Sequence, residues 1–521
     1  MEYYPERFKL QPPITSYISL DSGCCLIYFK DVMKRYDVII VGTGPSGIFA
    51  AWELISSNSG IKILMLDKGG SLSERVEKTK EGVHRAKTEE PDVISCGWGG
   101  AGAFSDGKLN LSPEVGGFLK EYIDGKTLLS LIEYVDKIYL KFGAPDELHG
   151  TEINQIKDLE DEALRYGLRF IPFPIRHLGT DRCIPVLGGF LASLKDNVEF
   201  RPHTEVEEVL FNETPMPLRG TKEDENPSPL PSPFRGEGWA GDGLEVKGVR
   251  TGSGEDIQGD FVIVAPGRSG AQWLEKESRR LGLTTLTNPV DIGVRIEAPA
   301  PVMKNLTDVA YEAKLVFYSK QFDDQVRTFC MNPYGEVVRE YHGDLCLVNG
   351  HSYSTKRSNN TNFAILVSTV FTEPFREPIA YGRYIARLAN LLGGEIIVQR
   401  LGDLLQGRRS TTERIKRGTV RPTLIDATPG DLSFVIPYRY VCDIIEMLQA
   451  MDNLTPGLYA RDTLLYGVEA KFYSMRLKLT SFFETGIRNL FAIGDGAGIT
   501  RGLIQASVSG VVAAREILQR I

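Results

Sequence analysis

Gly42, Gly44 and Gly47, in the run Gly42-Thr-Gly-Pro-Ser-Gly47, have the GxGxxG spacing with which a chain wraps a pyrophosphate. The three glycines act differently. Gly42 makes the tight turn, Gly44 lets a phosphate approach the backbone, and Gly47 packs helix against strand. An apolar run over residues 38–41 precedes them and a helical pattern over roughly residues 46–57 follows. The start of that helix offers unsatisfied N–H groups and about half a positive charge to an anion. Asp67 stands twenty residues beyond Gly47, at the end of a second apolar run over residues 62–66. A carboxylate there accepts hydrogen bonds from the adenosine ribose hydroxyls of a dinucleotide.

The fingerprint alone does not separate NAD from FAD; the last fifty residues do. A strand pattern over residues 489–493 runs into Gly494-Asp495-Gly496-Ala-Gly498, and a helical pattern covers about residues 503–519. A cofactor as long as FAD needs such a second site. Asp495 can accept from a ribityl hydroxyl, and the glycines let the chain pass close. The helix opening near Gly502 turns its positive end to the N1–O2 edge, where a reduced flavin carries negative charge.

Together with the strand that ends Phe261-Val-Ile-Val-Ala-Pro-Gly267, these residues resemble the glutathione-reductase-type FAD-binding fold. That fold usually has Ala-Thr-Gly at this point, and proline removes one N–H donor. More narrowly, Gly97-Trp-Gly-Gly-Ala-Gly-Ala-Phe-Ser-Asp-Gly-Lys-Leu109, Arg176-His-Leu-Gly-Thr-Asp181, Asp291-Ile-Gly-Val-Arg295 and Arg327-Thr-Phe-Cys-Met-Asn-Pro333 look like the uncharacterised FAD-dependent dehydrogenases. The resemblance covers the chain from about Tyr36 to its end, apart from residues 212–242. It implies FAD and redox chemistry and leaves the substrate open. By position it implies cofactor contacts at Gly42, Gly44, Pro45, Ser46 and Gly47, at Asp67 and Lys68, and at Gly99, Gly100, Ser105, Asp106 and Lys108. It further implies a backbone contact from Val206 to the adenine, and contacts at Gly267, Gly494, Asp495, Gly502, Leu503 and Ile504. The bare residues agree for the loop at 97–107: it holds five glycines, and each glycine costs about 0.5–1 kcal/mol in regular structure, so something approaches that backbone closely.

Two absences narrow the chemistry. No second GxGxxG follows a strand in mid-chain, which argues against a dedicated NAD(P)H domain. The seven cysteines (Cys24, Cys25, Cys96, Cys183, Cys330, Cys346 and Cys442) contain no CxxC or CxxxxC pair, which argues against a dithiol relay. Electrons then come from the substrate, from a transiently bound NAD(P)H or from a protein donor. The expected reaction is hydride transfer between a small organic substrate and flavin N5. An FAD monooxygenase and a non-enzymatic redox-sensing flavoprotein remain open as alternatives. Cys96 and Cys330 could face a flavin, although lone cysteines are as a rule buried small hydrophobes. His177 and His351 are proton carriers by residue type. Arg408 or Arg409 could grip a carboxylate or phosphate, and Glu469 with Lys471 adds charge nearby. The catalytic acid or base is not legible, and no metal site is expected.

The elements that must carry these residues suit a soluble α/β protein. The chain has 521 residues, 42% of them hydrophobic, and 60 Lys+Arg against 68 Asp+Glu give a net charge of −8. That balance opposes general nucleic-acid binding, including a flavin-dependent RNA-modifying role. Without a membrane-length apolar run or a signal-peptide pattern, the expected compartment is the cytoplasm. The expected fold is a Rossmann-like FAD-binding domain of the glutathione-reductase type with an inserted α+β substrate domain. Residues 1–32 read either as an extension ahead of a natural start at Met33 or as a genuine arm that covers a sheet edge. Residues 33–112, 177–289 and 471–521 read as the FAD-binding parts, 113–176 as a helical segment and 290–470 as the substrate domain, a mixture of alternating strands and turns. Residues 212–242, rich in Pro, Gly and charge, read as a disordered hairpin insertion.

Overall fold

The structure, a computed structural model, describes residues 34–80, 93–213, 243–286, 288–342, 344–353, 356–371, 377–472 and 475–521. The extension expected over residues 1–32, and all but the first two residues of the 212–242 insertion, lie outside the described residues.

Arg35–Val41 pairs in parallel with Ile63–Leu66 on one side and with Asp256–Val264 on the other. Ile63–Leu66 is flanked in turn by Val198–Arg201, again in parallel. Asp256–Val264 is shared: its last residues pair in parallel with Leu490–Ala492, and its first with the antiparallel Leu244–Thr251, which continues to Val206–Glu213. Val38, Ile39 and Ile40, like Leu64, Met65 and Leu66, are fully buried. Unbroken apolar runs of this kind are what parallel strands covered on both faces require. Val41, Leu66, Val264 and Ala492 therefore end on the same edge, the side where open α/β sheets bind ligands. Helices Pro45–Ser57 and Leu503–Leu518 cross closely on one face of this sheet, because a Cβ built at Gly510 would lie 2.1 Å from Ser46 O.

A second, eight-stranded sheet has the order Thr428–Pro429, Ile397–Arg400, Leu464–Lys471, Val290–Pro299, Asn360–Thr369, Gln325–Asn332, Lys314–Tyr318, Leu168–Ile171. Its two faces differ sharply. Ile292, Val294, Ile296, Leu315, Phe317, Val326, Ile365 and Val367 point one way and form an apolar core. Asp291, Arg295, Arg327, Glu469 and Lys471 alternate with that set and point the other way, as the two-residue period of a strand dictates. Helices Ala300–Val309, Pro378–Gly393 and Tyr438–Asp452 cover the apolar face. The reading of residues 290–470 as strands and turns is corrected here: a one-sided apolar sheet needs a covering layer, and its own segment supplies the helices. Similarly, residues 113–176 contain the helices Gly125–Lys141 and Ile153–Arg165, but end in strands, the first of which is the edge strand Leu168–Ile171. Among the described residues no helix is long and apolar enough to cross a membrane.

Candidate functional site

Between the carboxyl edge of the first sheet and the charged face of the second lies a cavity of about 350 Å³. Gly42, Gly44, Pro45, Ser46, Asp67, Lys68, Gly100, Ser105, Asp106, Lys108, Val206, Gly267, Asp495, Gly502 and Leu503 all line it. Segments far apart in the chain are thus brought to one surface. Gly47, Gly99, Gly494 and Ile504 do not line it and act from behind. A Cβ at Gly47 would fall 2.1 Å from Gly42 O, one at Gly99 2.4 Å from Leu187 Cδ1, and one at Gly494 2.5 Å from Ser46 Oγ. Ile504 is buried in the core.

Asp67 differs from expectation in a specific way. Its Oδ2 accepts from Thr43 N at 2.9 Å and Thr43 Oγ1 at 2.7 Å, and its Oδ1 from Gly69 N at 2.9 Å and Gly97 N at 2.8 Å. Four donors occupy the roughly four acceptor positions of a carboxylate. Asp67 therefore ties the phosphate turn to the glycine-rich loop, and a ribose hydroxyl would have to exchange with one of these donors. Arg75, not singled out in the sequence, holds the same loop from below. Its buried guanidinium donates to Val93 O at 2.9 Å, Ile94 O at 2.8 Å and Gly100 O at 2.9 Å, and also to Trp98 O.

The residues at this end fit FAD. Both helices that open on the cavity, at Gly44 and at Gly502, lack a side-chain cap, so their first N–H groups are not taken by the residue before them. The backbone at Gly100 passes so near the phosphate turn that a Cβ there would lie 3.1 Å from Gly44 Cα. Asp495 accepts a hydrogen bond from Thr500 Oγ1 at 2.7 Å. Burial pushes its carboxyl above the usual range, against the opposing charges of Arg268 and Arg501. Such a group suits a neutral hydroxyl partner better than exposure to water.

The far wall is the charged face of the second sheet. Lys108 Nζ meets Met331 O at 2.6 Å, Asn332 Oδ1 at 2.9 Å, Asp106 Oδ2 at 3.0 Å and Glu312 Oε2 at 3.2 Å. Burial opposes its charge, but the carboxylates of Asp106 and Glu312 override it and hold the ammonium well above the ordinary lysine value. Arg295 and Glu469 form a fully buried two-bond pair at 2.7 and 2.8 Å. Lys471 spans Glu469 at 3.2 Å and Glu340 at 3.3 Å, and His342 Nε2 lies 3.3 Å from the other oxygen of Glu340. Paired charges of this kind contribute little net stability, because desolvation offsets their attraction; what they fix is position.

Cys330 lines the cavity with a backbone φ of 46°, at a bulge in the pairing of Gln325–Asn332 with its neighbour. Burial pushes its thiol up, so it stays protonated. Cys96 also lines the cavity, with its Sγ 3.4 Å from Ser269 Oγ. His177 and His351, expected as proton carriers, do not line it. His177 Nε2 is 3.1 Å from Ser352 Oγ, and burial with the Lys108 charge pushes its pKa down to about 4. His351 is lowered chiefly by burial. The histidine that does line the cavity is His342, which lies in no motif and gave no sequence signal. Arg408 and Arg409 do not reach the cavity. Arg408 Nε bonds Asp403 Oδ1 at 3.0 Å, beside the buried Arg400, and Arg409 O accepts from Arg414. Lys471 lines the cavity, whereas Glu469 lies behind it as the partner of Arg295.

Comparison with known proteins bears on the cofactor. Residues 289–472 match a family model described as the C-terminal domain-like part of FAD-dependent proteins. An uncharacterised protein of Clostridium beijerinckii is 26% identical over 512 residues, covering 92% of this chain and 80% of its own. Among solved structures, glycine oxidase from Geobacillus kaustophilus is 13% identical with a TM-score of 0.37, over 93% of this chain and 95% of its own. A formate oxidase of Aspergillus oryzae is 12% identical with a TM-score of 0.42, over 93% and 98%. Likeness at such TM-scores is too loose to transfer a reaction. FAD is the cofactor of this chain, and the chemistry that goes with it is oxidation and reduction.

Proposed function

We propose that this flavoprotein is an oxidoreductase that transfers a hydride between a small organic substrate and flavin N5. We further propose that its cofactor domain is of the glutathione-reductase type, assembled from residues 33–112, 177–289 and 471–521, with residues 290–470 facing the substrate. The observation that carries the reading is one continuous cavity: its walls run from the Gly42–Ser46 turn, past Asp495 and the start of Leu503–Leu518, to Phe329 and Lys471 on the second sheet. Bound FAD supplies a two-electron acceptor whose reduced ring is negatively charged. The positive end of helix Leu503–Leu518 favours that charge through its N–H groups. His342 accepts the substrate proton. Glu340 orients its ring at 3.3 Å and stays ionised: burial works against its charge, but Lys471, His342 and Arg268 hold it well below the usual carboxylate range. Phe329 and Phe472, both cavity-lining, exclude water from the reacting face.

The test is the visible spectrum of the purified protein, chromatography of the cofactor released on denaturation, and anaerobic addition of reductants and small organic substrates. Flavin bands, released FAD and bleaching by a substrate with one product per flavin reduced are expected. A protein that stays colourless and takes up no added FAD overturns the reading.

A further inference from the structure

On the charged face of the second sheet nearly every cation has a carboxylate beside it. Lys108 has Asp106 and Glu312, Arg295 has Glu469, Lys471 has Glu340 and Glu469, and Arg327 has Asp291, which also accepts from Ser368. Arg169, exposed on the edge strand, and Lys314 are the exceptions: among the described residues neither forms an ion pair, and the Lys314 ammonium makes no hydrogen bond. Lys314 is nonetheless only half-exposed to solvent. The strand register puts it among cations. Arg327 and Arg169 both pair across from Val316, two residues along the same face, and Glu312, two residues the other way, is in the cavity wall. Arg327 lies 5.0 Å from the centre of the Phe329 ring, which lines the cavity. Arg501, at the mouth of helix Leu503–Leu518, also lines it, with its guanidinium 4.4 Å over Phe118.

We propose that Lys314, with Arg327 and Arg501, binds an anionic group of the substrate, a carboxylate or a phosphate, beside the sheet end of the cavity, where Glu312, Phe329 and Arg501 form its wall and Lys314 and Arg327 stand behind them. The assignment rests on the oxidoreductase reading for the word substrate, but the anion site stands on its own geometry. A partly dehydrated cation whose one opposing charge, Glu312, is set against Arg327, Arg501 and Arg169 is unfavourable, and an arriving anion supplies a direct partner. The electrostatics agree: burial first, and then the charges of Arg327 and Arg501, push the Lys314 pKa down to about 8. Asn110 also lines the cavity, and its buried Oδ1, an acceptor with no hydrogen-bond partner, calls for a donor group elsewhere on the ligand rather than for its anion. Arg501 fixes the orientation, because a substrate anion there sets its neighbouring carbon toward the helix end where the flavin ring would lie.

The experiment is ligand-observed NMR titration of the full chain with acetate, acetamide and inorganic phosphate, with FAD content measured on the same samples. Acetate is expected to bind saturably and acetamide, its uncharged counterpart, to bind at least about tenfold more weakly. Lys314→Met should weaken acetate by about tenfold or more with FAD content unchanged, and Lys314→Arg should keep most of the affinity. Comparing acetate with phosphate tells which anion the site takes. Equal binding of acetamide and acetate, unchanged acetate affinity in Lys314→Met, or no binding of either anion to wild-type protein overturns the inference. A colourless protein would remove the flavin reading while leaving the NMR result to decide the anion site by itself.

Discussion

Asp67 and Gly97 are joined by a hydrogen bond from the glycine N–H to the carboxylate at 2.8 Å, across thirty positions of the chain. The same side chain holds Thr43 and Gly69. Its first role is therefore to fix two loops that the cofactor must pass between. Asp67→Ala should lower stability by about 2 kcal/mol or more even before FAD is added, since several donors lose their acceptor at once and each costs roughly 1–3 kcal/mol when buried. Chemical denaturation of the FAD-free variant checks this. A variant as stable as wild type that merely binds FAD weakly would return Asp67 to a purely ribose-binding role.

The glycines of the phosphate turn separate by what surrounds them. Gly44 has an ordinary φ of −75° and only Gly100 Cα near it, at 4.0 Å from a built Cβ. Gly44→Val should therefore give folded protein whose phosphate path is filled, with little bound flavin. Gly42 has φ 106°, and a Cβ there would meet Ala265 O at 2.1 Å. Gly42→Val should fail to fold. Asp495→Ala should resemble Gly44→Val, as soluble protein with low flavin content. Soluble yield and the absorbance ratio of flavin to protein distinguish the three variants, and full flavin occupancy in Gly44→Val and Asp495→Ala would remove both residues from the cofactor site.

What the sequence could tell depended on how far apart the cooperating residues lie. The glycine turns at Gly42–Gly47 and Gly494–Gly498 are continuous in the chain, so spacing alone exposed them. The strand ends that gather them are apolar runs, legible for the same reason. The charged wall is a matter of cross-strand register: Arg295 finds Glu469 because Gly293 lies opposite Glu469 in the pairing of Val290–Pro299 with Leu464–Lys471. No one-dimensional pattern carries that information. Residue type misled at the histidines, where packing took His177 and His351 out of the cavity and put His342 into it. Arg75 gave no signal because its hydrogen bonds to the loop go to backbone carbonyls, and these have no sequence identity.

His177 has a consequence for acid stability. Its folded pKa is depressed to about 4, by burial first and the Lys108 charge second, from the ordinary 6.5. A depressed base contributes stability that is complete above pH 6.5, while both states are neutral, and that is lost as pH falls from 6.5 toward 4. The linkage amounts to about 3 kcal/mol at most. Denaturation midpoints measured between pH 7 and 4 should fall more steeply for wild type than for His177→Gln. Parallel curves for the two proteins would show that His177 titrates normally.

Lys314 gives a stability slope of the same sign at higher pH, and a direct handle on ligand binding. Its ammonium is held among Arg169, Arg327 and Arg501 with Glu312 as the nearest acid, and its pKa is pushed down to about 8 from 10.5. Below pH 8 the lysine is charged in both folded and unfolded chains, and the folded protein bears the full cost of keeping it so. Between about 8 and 10.5 the folded state has lost the proton while the unfolded chain retains it, and that cost is progressively relieved. Anion binding runs the other way, because only the ammonium attracts a carboxylate. Acetate affinity should be level from pH 6 to 7.5 and fall through pH 8 to 9.5, whereas Lys314→Met should show weak binding with no such step. Affinity in wild type that is flat to pH 9.5 would place the anion on Arg327 and Arg501 alone, whose guanidinium groups do not titrate in this range.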